Sequence, residues 1–117
     1  MTPEELRSRT KAFAVRILRL FRALPRSAEA QIVGRQLARS GTSVAANYRA
    51  ACRARSHAEF LSRIGVVAEE ADETVFWLEL MMDAELMPAR RVELLLGEAR
   101  ELTAIFSSSR QTARARH

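Results

Sequence analysis

Apolar residues recur every three or four positions in four separate stretches of this chain, and only three prolines and four glycines interrupt it. That spacing lays apolar side chains along one face of an α-helix, whereas a half-buried strand needs strict alternation. In the first stretch, about residues 3–23, the face is Leu6, Phe13, Ile17, Leu20 and Leu24. Pro3 with Glu4 and Glu5 suits a helix N-terminus, and Pro25 closes the segment. Ser27 offers an N-cap to a second helix over about 28–53, with Val33, Leu37, Val44, Tyr48 and Ala51 inward. Ser56 and Glu59 have the spacing of a capping box for a third, over about 57–85. Its inward stripe reads Phe60, Ile64, Val67, Ala71, Val75, Leu78 and Met82. After Pro88 a fourth helix over about 89–106 carries Val92, Leu95, Ala99, Leu102 and Phe106. Residues 107–117, with no apolar pattern, are expected to be a basic, disordered tail. Connections of a few residues make successive helices antiparallel neighbours. The predicted fold is therefore all-α: one domain, an antiparallel up-down-up-down four-helix bundle.

Most kinds of chemistry find no residues here. The single cysteine, Cys52, has no disulfide partner, and with two histidines, His57 and His117, no Cys/His metal site can be built. Di-iron bundles need Glu-x-x-His pairs, which are absent, and the isolated glycines at 34, 41, 65 and 97 make no phosphate loop. Arg53 lies four residues before His57, one short of the Arg-x-x-x-x-His spacing of one class of helical ribonuclease. The run EEADE at 69–73 reads as a solvated or arginine-paired helix face. The expectation is a non-enzymatic protein with no metal or cofactor. The charged N-terminus and the lack of a long uncharged apolar run predict a cytoplasmic chain with no membrane span.

Charge is segregated along the chain. Residues 1–63 hold 13 basic and 4 acidic side chains, whereas residues 64–109 hold 3 and 10. On a helical wheel Arg9, Lys11, Arg16, Arg19, Arg22 and Arg26 gather opposite the Phe13/Ile17 stripe with no carboxylate among them. Arg35, Arg39, Arg49 and Arg53 do likewise on the second helix. Such density calls for a polyanion, and nucleic acid, RNA or DNA, is the expected partner. The aromatics lie in the apolar stripes rather than among the arginines, so binding should be sequence-independent. For the second helix, pairing with the acidic third helix competes with phosphate.

Two further segments point to packing. In VFWLELMM, residues 75–82, a single core cannot cover Phe76, Trp77, Leu80 and Met81, which are expected to form an interface between copies of the chain. The segment SGTSVAAN, residues 40–47, is poor in helix formers. Its small residues, Gly41 within the Leu37/Val44/Tyr48 face, predict close approach of a neighbouring helix. Asn47 at the edge is expected to bond Glu70 or Glu73 across it.

The run LPRSAEAQIVGRQLARSGTSVAANYRAACRARSHAEF and the later EEADETVFWLEL resemble the bacterial four-helix-bundle proteins encoded in intervening sequences of large-subunit ribosomal RNA genes. That family is similar to the accessory variability protein of diversity-generating retroelements. The resemblance covers about residues 10–106 and implies a barrel-like homopentamer. It also implies, as in the retroelement relatives, a basic surface for nucleic acid and a reverse transcriptase as partner. The leading expectation is a homo-oligomeric bundle binding nucleic acid through arginines; the alternative is a protein–protein adaptor.

Overall fold

A computed structural model describes residues 1–116 of the chain. Four helices, α1 (Pro3–Ala23), α2 (Ala28–Cys52), α3 (His57–Asp83) and α4 (Glu93–Ala115), account for nearly all of it, with a 3-10 turn at Ala89–Arg91 and no strand among the described residues. The molecule measures 47 × 23 × 19 Å, little longer than its longest helix, so the helices lie side by side. α1 packs on α2, α2 on α3 and α3 on α4, while α1 and α4 meet more lightly. Arg100 of α4 reaches Glu79 of α3, and Arg110 reaches Glu69, so positions rise in one helix as they fall in the other.

Side-chain caps fix the helix starts. Thr2 accepts from the Glu5 amide while the Glu5 carboxylate takes the Thr2 amide, and Ser27 and Ser56 accept from the amides of Ala30 and Glu59. The buried positions then keep a seven-residue repeat in every helix. They are Leu6, Phe13, Leu20 with Thr10, Ile17 in α1 and Leu24 at its cap, and Ala30, Leu37, Val44, Ala51 with Gly34, Gly41, Tyr48 in α2. In α3 they are Ile64, Ala71, Leu78 with Val67, Thr74, Met81. That repeat keeps each seam facing its neighbours along the rod, the condition for shallow left-handed packing.

It also corrects the third stripe. Val75 and Met82 are only half-buried, and the seam runs through Thr74 and Met81, a hundred degrees around the helix. Thr74 is admitted to the core because its Oγ1 lies 2.7 Å from the Glu70 carbonyl and 2.9 Å from Ser40 Oγ on α2. Both hydroxyls are fully buried and neither is left without a partner.

The ends of α3 and α4 differ from expectation. α3 stops at Asp83: the Leu86 amide bonds the Met81 carbonyl and the Glu85 amide the Met82 carbonyl, a Schellman closure. Glu85 takes the left-handed position, φ 55°, usually given to glycine. Left-handed backbone costs an L-residue roughly 1–2 kcal/mol, so Glu85→Gly should raise unfolding stability by about 1 kcal/mol in a urea titration. An unchanged midpoint would show that Glu85 recovers that strain elsewhere.

The expected disordered tail is instead helix: α4 runs on to Ala115. Tertiary contacts hold it. Ala113 is buried, its carbonyl receives His57 Nε2 at 2.8 Å, and Arg110 lies over Gly65, where an added Cβ would sit 3.3 Å from Nε. His117 of that expected tail lies outside the described residues.

Candidate nucleic-acid interface

The structure divides the arginines of the sequence reading into two groups. Arg9 turns toward α4, where Nε and Nη2 donate to the two oxygens of Glu98 at 2.8 and 2.7 Å, with Glu101 at 3.5 Å. The hydrogen bonds to Glu98 raise the Arg9 pKa against the opposing cost of burial. Arg39 turns toward α3, Nη2 to Glu73 at 2.6 Å and Nη1 to Glu70 at 3.1 Å. Both are paired inside the chain, so within the expected phosphate-binding set they are the two already neutralised by carboxylates. For Arg39 the competing explanation, pairing with the acidic third helix, is the observed one.

Asn47 does not take that place. Its Nδ2 donates to the Ser43 carbonyl at 2.9 Å within α2, and Glu70 and Glu73 are held by Arg39. Beneath the Arg39 ion pairs, the buried polar link between α2 and α3 is the Ser40–Thr74 pair.

Arg39 also lowers the pKa of Glu73, chiefly by its hydrogen bond and with help from the Trp77 indole N–H, against the effect of burial. A depressed folded-state value stabilises the fold above the unfolded value, and that contribution fades as pH falls from about 4.5 through the lowered value. The pair is more than one-third exposed, so its worth at neutral pH is below about 1 kcal/mol. Arg39→Met should therefore cost little near neutrality and make the loss of stability between pH 5 and pH 3 shallower, by about one proton or less. An acid profile identical to the parent would discount the pair.

No ion pair engages Arg7, Lys11, Arg16, Arg19, Arg22, Arg26, Arg35, Arg49 or Arg53 among the described residues, and all are exposed. Most of these lie on α1 or beside it, and they frame two depressions. One, about 720 Å³, lies between α1 and α2, with Arg7, Lys11, Arg49 and Arg53 around it and Thr42, Ala45, Ala46 and Cys52 among its walls. The other, about 260 Å³, lies between α1 and the start of α4, where Arg16 and Arg19 meet Arg90, Arg91 and the exposed Leu94. Sequence reasoning missed Arg7, Arg90 and Arg91. Arg7 follows the core residue Leu6, and the Arg90–Arg91 pair sits in a turn remote in sequence from α1, so only its position after Pro88 marked it.

Arg7 to Arg22 spans about 22 Å of helix, and Lys11, Arg19 and Arg22 carry positive charge from one depression toward the other. Burial first, then the nearby Cys52, push the phenol pKa of the core residue Tyr48 well above its usual range. The described residues hold no cluster of histidine, cysteine and carboxylate able to bind a metal ion.

The expected interface residues separate as well. Met81 is fully buried in the core of its own chain and cannot meet another copy. Trp77 is half-buried, its Nε1 3.3 Å from Glu73 Oε1, and its ring stands edge-on to Phe76 with centroids 4.9 Å apart. Leu80 packs partly on the core, leaving Phe76 as the exposed member at 52%.

Fold and surface define a class: an all-helical bundle in which, among the described residues, most arginines without an ion pair lie on one helix and its flanks. The chain belongs to the 23S rRNA-intervening sequence protein family, whose model matches residues 5–108. It is similar to a crystal structure of a protein of unknown function from the S23 ribosomal protein family of Bacteroides thetaiotaomicron, at 31% identity and a TM-score of 0.86. That match covers 95% of this chain and 99% of the other. No curated protein matches the chain. No helix among the described residues is long and apolar enough to cross a membrane.

Proposed function

We propose that this protein is a non-enzymatic, homo-oligomeric up-down-up-down bundle that binds RNA without sequence preference, through the free arginines of α1 and its two flanking depressions. One observation carries the reading: Arg9 and Arg39 are neutralised by carboxylates of α3 and α4, while the cations of α1's outer side are not. Like charges so close raise the energy of the free protein and lower it when phosphates release their counterions on binding. The family is named for sequences that intervene in 23S rRNA, which supports RNA as the polyanion. Self-association is assigned to the region around Phe76, with Trp77 and Leu80 beside it, and five copies is the number the family resemblance implies.

The test is a salt titration of RNA binding by the purified protein. Affinity should fall linearly on logarithmic axes, with a slope near −0.7 for each phosphate held on a single strand. Binding that is absent at low salt, or indifferent to salt, overturns the reading.

A further inference from the structure

The two depressions beside α1 are unequal, and the larger has features a simple basic surface lacks. It is concave, with four cations at its rim, no carboxylate among its lining residues, and a wall of small side chains on α2. At about 720 Å³ it falls in the size range of small-ligand pockets, far larger than one phosphate group needs. We propose that this α1–α2 trough seats a nucleotide of single-stranded RNA, its phosphates on Arg7, Lys11, Arg49 and Arg53 and its base against Thr42, Ala45 and Ala46. The inference rests on the RNA-binding reading and says which form of RNA the site selects.

The physical case is one of shape and field. A trough walled by low-dielectric groups focuses the field of its rim charges, so phosphates there are held more strongly than on the convex face of α1. A duplex keeps its bases stacked inside and offers only its outer phosphates, which can lie across the rim but cannot lower a base between the helices. A single strand can splay a base out and place it in the trough. No aromatic ring lines the trough, so the base is held by burial against small side chains rather than by stacking, and base identity is not read. An acidic peptide would satisfy the rim arginines too. RNA is favoured because Lys11 leads on to Arg22 and Arg19 along α1, which continues the track for a strand with a charge at every residue.

Cys52 provides the measurement, since it is the chain's single cysteine, half-buried, and part of the trough wall. Its alkylation by iodoacetamide would be timed in the full chain alone, with a decauridine strand, with a ten-base-pair RNA duplex, and with a polyglutamate peptide, binding being followed in parallel by anisotropy. At ten times Kd the decauridine should slow alkylation about tenfold, while a bound duplex leaves the rate near that of the free protein. Ala46→Leu, at an exposed helix position on the wall, narrows the trough without altering charge or adding an aromatic face and should weaken decauridine binding about threefold or more relative to duplex. Decauridine that binds yet leaves Cys52 unprotected would overturn the trough proposal and leave the RNA-binding reading standing. Equal protection by duplex, or stronger protection by polyglutamate, overturns it as well, and the absence of any RNA binding removes both together.

Discussion

Changing Arg16, Arg19 and Arg22 together to alanine is expected to weaken RNA binding by at least about tenfold at low salt and to reduce the salt slope by about 2. All three are exposed and none has a carboxylate partner among the described residues, so nothing in the fold is broken by their removal. Alanine is the better helix former, and unfolding stability should stay within about 0.5 kcal/mol of the parent. The internal control is Arg9, about two to four turns away on the same helix. Arg9→Ala strips Glu98 of a bidentate partner, which should lower stability and leave the salt slope almost unaltered. If the triple variant binds as the parent does, α1 is not the RNA surface; if Arg9→Ala is the more damaging to binding, then the carboxylate pairing does not decide which arginines are available.

How far that distinction could be read from the sequence depends on distance along the chain. Arg35 and Arg39 stand one turn apart on α2 with similar neighbours, and only the register of α3 decides that Arg39 meets Glu70 and Glu73. The helices themselves, and their starts at Ser27 and Ser56, were legible because capping acts over three residues. The end of α3 was not, since Glu85 occupies a left-handed position that a sequence announces only when it holds glycine.

A seven-residue rule would have reached further than apolar residues alone. Continuing Val92, Ala99 and Phe106 by seven lands on Ala113, the buried residue that anchors the end of α4. Alanine after a serine run carries too little apolar signal to reveal this by hydropathy. The same rule selects Thr74 and Met81 in place of Val75 and Met82. The polar Thr74 misled the stripe because its satisfying partner, Ser40, lies on another helix. Met81 therefore belongs to the core, and of the four residues expected at an interface only Phe76, Trp77 and Leu80 keep exposed surface.

The segment SGTSVAAN holds the second large effect, at Gly41. An added Cβ there would stand 2.8 Å from Ile17 Cγ1 and 3.0 Å from Cγ2, closer than carbon atoms pack. Ile17 is fully buried and β-branched, with one favoured rotamer in a helix, so it cannot swing aside. Alanine at a helix interior should gain about 1 kcal/mol over glycine, but overpacking a filled core costs about 1–3, and the clash wins. Gly41→Ala should lower unfolding stability by about 1 kcal/mol, and Gly41→Leu by about 3 or more, enough to reduce the thermal midpoint by over ten degrees. Gly97 supplies the counterpart: it is exposed in α4 with nothing within 4 Å of its added Cβ. Gly97→Ala should therefore stabilise by close to the full propensity gain of about 1 kcal/mol. Opposite signs for one substitution at two helical glycines, read by urea or thermal unfolding, would establish that α1 and α2 approach through Gly41. Two gains of equal size would mean that Ile17 gives way and that the small residues of α2 serve some other end.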